Sequence, residues 1–247
     1  MKIRIISAVV LLAIFVPLLL MGGLPYSVLM LLISLFGLYE LLKIRKTKKE
    51  FPFFVELCAY ILVAFITFNN YKSSDLYFLM DYRLMAIIMC IFLSPMVLIN
   101  DTKRYNLNDA LFLISSTLFI GLSFNLLILI RNFSLNYVIY LFIVSIITDT
   151  FAYITGRYIG KNKLAPLISP KKTIEGAIGG MIMATIAGTI YYTTVINPAI
   201  DLGVIIFITI FLSIIGQLGD LVFSSIKRYY GQKDFSNLIP GPFACDF

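Results

Sequence analysis

Long apolar runs separated by short polar segments occupy most of the chain. The stretch 5–39 carries no charged residue, and the turn signal Gly22-Gly23-Leu24-Pro25 divides it into the two helices of a hairpin. Six further apolar runs follow, at about 54–68, 84–99, 110–130, 137–159, 177–196 and 202–226. Because a helix needs about 20 apolar residues to cross a bilayer, the pattern predicts an all-α polytopic membrane bundle of about eight transmembrane helices.

The composition supports a multi-pass protein of the cell membrane. Hydrophobic residues make up 60% of the chain and charged residues 13%, with a mean hydropathy of +0.95. Soluble domains are roughly half apolar and a quarter charged. If the N-terminus is cytoplasmic, all of the 20 basic residues except Lys72, Arg83 and Arg131 fall on cytoplasmic segments. The positive-inside rule therefore predicts that both termini are cytoplasmic.

Residue usage also excludes several kinds of chemistry. The chain has no His, and its three cysteines, Cys58, Cys90 and Cys245, are far apart. This excludes a thiolate or imidazole zinc site, a His-activated nucleophile and a disulfide scaffold. Catalysis would then depend on carboxylates, hydroxyls, Lys, Arg and a bound metal. The net charge of +7 suits anionic lipid or phosphorylated substrates, and the charge alone does not choose between them.

The apolar runs change in character along the chain. Those within residues 1–135 contain few polar atoms and predict hydrophobic scaffold helices. Within residues 136–247, Asp, Gly, Ser, Thr, Lys and Gln appear inside or beside the runs. We therefore expect the second region to be catalytic, with its cytoplasmic loops. Its glycine pairs, Gly156-x-x-x-Gly160 and Gly176-x-x-x-Gly180, predict close packing of helices.

Two carboxylates lie inside predicted spans. Asp149 falls in the sixth span and Asp220 in the eighth, where an ionised group costs about 3 kcal/mol unless it faces a partner or a wet cavity. Helical spacing places Asp220, Ser224 and Lys227 on one face. Such a face can hold a metal on the carboxylate and a phosphate on the hydroxyl and the cation. The alternatives are a structural ion pair for Asp149, an intrahelical network around Asp220, and snorkelling of Arg228 to the interface.

A basic loop joins the sixth and seventh spans. Ser169-Pro170 predicts a helix N-cap followed by proline at the first helical position. The free amides of that helix end, together with Lys171 and Lys172, would form a phosphate site. Glu175 would lie in the first turn, where it complements the helix dipole, fixes a lysine or coordinates through water. A lipid-headgroup anchor or topology signal is the preferred interpretation of the other two lysines, Lys161 and Lys163.

These polar segments resemble a known enzyme family, the phosphatidate cytidylyltransferases, also called CDP-diacylglycerol synthases. The resemblance covers residues 145–241, and three motifs in the right order carry it. They are Asp149-Thr-Phe-Ala-Tyr with Gly156-Arg157; Ser169-Pro-Lys-Lys-Thr-Ile-Glu-Gly176; and Gly219-Asp220-Leu-x-x-Ser224-x-x-Lys227-Arg228 with Lys233-Asp234 and Pro240-Gly241.

The resemblance implies a polytopic nucleotidyltransferase of phospholipid synthesis. Such an enzyme joins CTP to phosphatidic acid in the presence of Mg²⁺ and releases CDP-diacylglycerol and pyrophosphate. It implies catalytic residues on the polar faces of two helices and substrate-binding residues around the basic loop. The catalytic set is Asp149, Asp220, Ser224, Lys227 and Arg228, with Asp149 and Asp220 on the metal. The substrate-binding set is Ser169, Lys171, Lys172, Glu175, Lys233 and Asp234. We expect CTP, phosphatidic acid and membrane lipid as partners and no nucleic acid, and leave a homodimer open.

The last residues of the chain depart from the family pattern. The family continues after Pro-Gly with His-Gly-Gly and later an Asp-Arg pair, whereas this sequence continues through residues 242–247 to Phe247 and offers Asp246 as the nearest acidic residue. This predicts a truncated or altered relative. One alternative to the enzyme is therefore an inactive relative that keeps the membrane fold. The intramembrane Asp residues suggest a second alternative, a transporter that couples ions through them.

Overall fold

A computed structural model describes residues 2–46, 50–69, 82–99, 104–197 and 199–231. Within these ranges the chain is helical apart from one small hairpin. The elements are α1 (Lys2–Met21), α2 (Gly23–Lys46), α3 (Phe53–Phe68), α4 (Tyr82–Ile99), α5 (Leu107–Phe133), α6 (Leu135–Tyr158), β1 (Lys163–Ala165), β2 (Ser169–Thr173), α7 (Ile174–Tyr191), a π-helical turn (Tyr192–Ile196) and α8 (Leu202–Tyr229).

The predicted all-α membrane fold is confirmed. Each of the eight apolar runs of the sequence corresponds to a helix in the described part of the chain. In these residues five helical stretches are long and apolar enough to cross a membrane: Gly23–Ile44, Leu107–Phe133, Leu135–Tyr158, Ile174–Ile196 and Leu202–Tyr229. Three shorter apolar stretches, Val9–Met21, Phe53–Phe68 and Met85–Ile99, belong to α1, α3 and α4.

The helices form two compact units. One contains α1 to α5 and extends to Leu135, and the other begins at Asn136 and contains α6, the hairpin, α7 and α8. The predicted division of labour between a scaffold region and a catalytic region stays a prediction.

The first unit uses its polar side chains to complete helix ends. The Arg131 side chain donates to the carbonyl oxygens of Leu19 and Leu20 at 2.7 and 2.8 Å, and so satisfies the free carbonyl end of α1. The chain then turns through Gly22 at φ +67°, a backbone conformation that favours glycine. Asn106 begins α5 in a reciprocal capping box with Asp109, in which each side chain binds the other residue's backbone N–H.

In the second unit α7 has two contrasting faces. Every fourth residue on its buried face is small, namely Gly176, Gly180, Ala184 and Gly188, and isoleucines repeat with the same period on the exposed face. A Cβ atom at Gly176 would lie 2.6 Å from the Ala152 carbonyl oxygen of α6, and one at Gly180 would lie 2.5 Å from that of Thr148. The glycines therefore allow α6 and α7 to touch backbone to backbone, as their spacing predicted.

Helix α8 also divides into a polar face and an apolar face. Thr209 and Ser213 are buried, while Phe207, Phe211 and Leu218 expose more than half of their surface on the other side. This apolar face suits contact with lipid, because it presents hydrophobic side chains and the helix satisfies its own backbone hydrogen bonds.

The predicted start of the seventh helix is wrong. Ser169 and Pro170 do not begin a helix; residues Ser169–Thr173 form β2, which pairs antiparallel with β1, with Lys163 opposite Thr173 and Ala165 opposite Ser169. The N-cap of α7 is Thr173, whose hydroxyl accepts a hydrogen bond from the Gly176 N–H at 3.1 Å. Ser-Pro is a good local helix start, but pairing with β1 satisfies this backbone instead, and a two-stranded sheet has edges that tolerate proline.

Candidate active site

A column of polar contacts joins α8 to α6 and α7 below the candidate site. The hydroxyls of Tyr140 and Thr209 share a hydrogen bond of 2.7 Å, and those of Thr148 and Ser213 share one of 2.9 Å. All four residues are buried. Since buried hydroxyls without partners are costly, these pairs fix the rotation of α8 against α6.

One turn further along α8, Gln217 donates to the carbonyl oxygen of Ala177 in α7 at 3.2 Å. The face that carries Ser213 and Gln217 is therefore directed at the neighbouring helices. The next residue on this face is Asp220, three positions after Gln217. These contacts fix the rotation of α8, and Asp220 lies at the end of the helix face that they hold against α6 and α7.

Asp220 forms an ion pair with Lys172. The ammonium Nζ of Lys172, on β2, contacts carboxylate oxygen Oδ2 of Asp220; the lysine side chain is 29% exposed and the aspartate 57%. The carboxylate of Asp149, on α6, interacts electrostatically with both groups: Asp220 repels it and Lys172 attracts it. The Lys172–Asp220 pair and the Asp149 carboxylate therefore lie within electrostatic range of one another, although 70 residues of chain separate Asp149 from Asp220.

Glu175 anchors the hairpin that carries Lys172. Its carboxylate oxygens accept hydrogen bonds from the backbone N–H groups of Lys161 and Asn162 at 3.1 Å and from the Asn162 side-chain amide at 2.8 Å. The Ile174 N–H donates in turn to the Asn162 carbonyl oxygen at 3.0 Å. Glu175 lies in the first turn of α7, as the sequence predicts, and its carboxylate also binds the backbone of the hairpin.

The two lysines of the hairpin differ in their surroundings. Side chains alternate between the two faces of a strand, so Lys171 and Lys172 point in opposite directions. Lys172 is half-buried and turned to Asp220, whereas Lys171 is exposed. Ser169, predicted to bind substrate, is buried at 8% exposure.

The sequence of the whole chain matches known proteins. The sequence model of the Cytidylyltransferase family matches residues 2–242. The chain belongs to the cytidylyltransferase family. It is 36% identical over 242 residues to a protein of Staphylococcus haemolyticus named phosphatidate cytidylyltransferase, covering 98% of this chain and 90% of the relative. It is 34% identical over 245 residues to the phosphatidate cytidylyltransferase of Bacillus subtilis, covering 98% of this chain and 89% of the relative. The resemblance drawn from the three motifs is confirmed.

The remaining residues of the family motif lie along the last turns of α8. Ser224 and Lys227 are half-buried and follow Asp220 on the same face. The Arg228 guanidinium donates through Nε to the Ile168 carbonyl oxygen at 3.3 Å, so it reaches the turn of the hairpin and does more than extend to the interface. Lys233, Asp234 and Asp246 lie outside the described residues.

The two predicted metal ligands, Asp149 and Asp220, are carboxylates on different helices. Within the ranges that the structure describes, no group of three or more His, Cys, Asp and Glu side chains comes together around one point. Asp149 and Asp220 share an electrostatic environment, and the Lys172 ammonium already holds a positive charge against one of them.

Two features of the site were missed at the level of sequence. One is Asn162, which fixes the hairpin to Glu175; the other is Thr148, whose hydroxyl holds α8 beside the neighbouring Asp149. Thr148 could have been found as a polar residue next to the intramembrane carboxylate. Asn162 carried no signal beyond its place in a basic loop.

Proposed function

We propose that this cytidylyltransferase transfers a cytidylyl group from CTP to phosphatidic acid, giving CDP-diacylglycerol and pyrophosphate. A phosphate oxygen of phosphatidic acid attacks the α-phosphorus of CTP, a new P–O bond forms, and the bond from the α-phosphorus to the bridging oxygen of pyrophosphate breaks. Attack and departure occur at one phosphorus, so no covalent intermediate on the protein is required. A chain without His or a paired Cys nucleophile suits such a direct transfer.

The observation that carries the proposal is the cluster of Asp149, Lys172 and Asp220 in a chain that belongs to this family along its whole matched length. All three residues belong to the motifs that resemble phosphatidate cytidylyltransferases. Helices α6 and α8, which carry Asp149 and Asp220, are held together by buried hydroxyl pairs, and Glu175 anchors the hairpin that carries Lys172. A rigid support of this kind is what positioning of two phosphorylated substrates demands.

The carboxylates of Asp149 and Asp220 suit Mg²⁺. Magnesium is usually bound through one or two carboxylates, with substrate phosphates and water completing its shell, so a two-carboxylate site in a phosphoryl-transfer enzyme fits its chemistry. The ion pair of Asp220 with the Lys172 ammonium supports the proposal, because it places this carboxylate beside a positive charge. Asp149 and Asp220 would hold the ion, and it would neutralise negative charge on the phosphate oxygens.

The basic residues around these carboxylates would bind the phosphates. Lys172 lies on the hairpin beside Asp220, and Lys227 and Arg228 lie on the last turn of α8, so cations approach the site from two elements, while Lys171 is on the opposite face of the strand. We assign the Ser224 hydroxyl, Lys227 and Arg228 to phosphate, and Lys171 and Lys172 to the triphosphate or the lipid phosphate. Cations fixed in this way stabilise the charge that develops as pyrophosphate leaves. Lys233 and Asp234 complete the proposed binding set.

The decisive assay uses the purified chain in detergent with labelled CTP and phosphatidic acid. We expect formation of labelled CDP-diacylglycerol that requires Mg²⁺ and stops when EDTA is added. Omission of phosphatidic acid is the control for hydrolysis of CTP alone. An absence of product in the complete mixture would contradict the proposal. It would favour the inactive relative, an alternative that the similarity to enzymes named phosphatidate cytidylyltransferase does not support.

We place the site at the cytoplasmic face of the cell membrane, where basic residues concentrate and where CTP is available. Single cysteines introduced at Lys163 and at Asn197, into a chain whose own cysteines are replaced by alanine, test this. These residues lie at opposite ends of α7. A membrane-impermeant maleimide should label K163C in inside-out vesicles and N197C in intact cells, and the reverse pattern would overturn the orientation. A homodimer stays a prediction, checked by the light-scattering mass of the solubilised protein.

A further inference from the structure

The ion pair between Lys172 and Asp220 joins two groups that have different proposed ligands. Asp220 is the carboxylate that the proposed function assigns to Mg²⁺, and Lys172 is a residue that it assigns to phosphate. In the structure these two groups bind each other, through the Lys172 ammonium and Oδ2 of Asp220. Lys171, which carries the same charge one residue earlier, is exposed on the other face of the strand.

The backbone under Lys172 is held in place from two directions. Glu175 binds the N–H groups of residues 161 and 162 at the start of the hairpin, and Arg228 binds the Ile168 carbonyl oxygen in its turn. The lysine side chain is different, because its ammonium sits on a flexible four-carbon stem. A change of partner therefore requires rotation of one side chain, while the hairpin stays where it is.

Two cations compete for one carboxylate. A divalent ion bound to Asp220 would repel the Lys172 ammonium at short range and compete with it for the carboxylate. The released ammonium would be left without a partner, since Asp149 would be engaged by the same ion. A triphosphate beside the site offers it new oxygen acceptors, and charge-assisted hydrogen bonds to phosphate are strong.

We propose that Lys172 is an internal counter-ion of Asp220 that a divalent cation displaces and that then binds a phosphate of the nucleotide, so that cation and nucleotide bind cooperatively. The inference rests on the proposed function and deepens it. Because coupling between two ligands is reciprocal, the nucleotide must raise cation affinity by the same factor by which the cation raises nucleotide affinity. Lys172 makes each ligand bind weakly alone and well together.

The first test measures binding of Mn²⁺ alone, as an EPR-visible divalent probe, to the full chain in detergent at about 0.15 M salt. Lys172→Gln should bind Mn²⁺ about five- to tenfold more tightly than the wild type, since the competing half-exposed ion pair is gone. Lys171→Gln is the matched control: it removes the same charge one residue away, and its affinity should stay within about twofold because screening weakens the distant charge. Lys172→Arg, which keeps a cation on Asp220, should not show the gain.

Equal gains in K171Q and K172Q would overturn the proposal, because they would reflect net charge instead of the ion pair. An affinity in K172Q that is no greater than that of the wild type would overturn it as well. Adding Asp220→Asn to K172Q should remove the gain, and its persistence would assign the competition to another carboxylate and so contradict the inference.

A second measurement uses the unaltered protein and does not depend on folding of a variant. Brief acetylation of amines, quantified by mass spectrometry, should be slow at Lys172 in the protein alone. Mn²⁺ at millimolar concentration should raise it several-fold, and Mn²⁺ with CTP should lower it again. Lys171 should show no rise with Mn²⁺ alone. A Lys172 reactivity that Mn²⁺ leaves unchanged would overturn the proposal.

These outcomes separate the inference from the proposed function. If the wild type forms CDP-diacylglycerol but K172Q gains no Mn²⁺ affinity, the counter-ion role fails and the enzyme activity stands. If the wild type forms no CDP-diacylglycerol, the proposed function fails, whatever the Mn²⁺ titrations show.

Discussion

The two compact units use some of their polar side chains differently. In α1 to α5 two polar side chains serve the backbone: Arg131 binds the last carbonyls of α1, and Asn125 donates to the Ile66 carbonyl oxygen at 2.8 Å near the end of α3. In the unit of α6, the hairpin, α7 and α8, charged side chains from different elements pair with each other, and those of the Lys172–Asp220 pair keep part of their surface exposed. In a membrane helix bundle, the group to which a polar side chain binds is therefore a better guide to function than the occurrence of the polar residue.

The largest expected effect comes from Asp220→Asn. The substitution keeps the size of the side chain but removes the charge that holds Lys172 and the proposed cation. We expect kcat/KM for CTP, measured by CDP-diacylglycerol formation, to fall about 100- to 1000-fold. A loss of this size is typical when one charged or polar group that stabilises the transition state is removed.

The matched control for D220N is Asp201→Asn on the same helix. Asp201 caps the other end of α8, where its side chain accepts a hydrogen bond from the Gly203 N–H at 2.8 Å, and Asn caps helices equally well. Activity of D201N should stay within about twofold of the wild type. A similar loss in both variants would show that D220N acts through the helix and not through the site.

A second prediction concerns the contact between α6 and α7. Gly180→Ala would place a Cβ 2.5 Å from the Thr148 carbonyl oxygen and 3.0 Å from the Ala152 backbone nitrogen, so α6 backbone must move. Overpacking of this kind costs about 1–3 kcal/mol, which thermal unfolding in detergent should show as a lower Tm. Gly216→Ala is the control, because a Cβ there meets nothing within 4 Å. An unchanged Tm in G180A would contradict the close approach of the two helices.

Glu175→Gln should produce a smaller effect that is specific to the hairpin. Gln keeps one oxygen acceptor for the Asn162 and Lys161 N–H groups but loses the charge that strengthens these bonds. We expect about a tenfold fall in kcat/KM for CTP, since Lys172 would be less well placed, with little change in Tm. Faster hydrogen exchange at residues 161–173, with the α8 amides unchanged, would identify the positioning role. Unchanged exchange in the hairpin would contradict it.

The sequence predicts the helices well because the bilayer imposes a length and a polarity on each of them. The eight apolar runs and the small-residue spacing of α7 required no tertiary information. The start of α7 could not be predicted in this way. Ser169-Pro170 satisfies the local rule for a helix start, and the pairing with β1 that overrides it depends on a second segment. The ion pair of Lys172 with Asp220 likewise joins two motifs that were predicted separately, and only their fold brings them together.

The smallest expected effect on activity tests the first unit. Asn125 is buried at 1% exposure and donates to carbonyl oxygens at the end of α3, an arrangement that the sequence did not predict for the scaffold region. Asn125→Leu has a similar volume but leaves the Ile66 carbonyl oxygen without its donor, which costs about 1–3 kcal/mol. Tm should fall, while kcat/KM of the folded fraction should stay within about twofold. If N125L instead kept its Tm and lost activity as D220N does, the polar groups of the first unit would belong to the chemistry, and the contrast between the two units would be wrong.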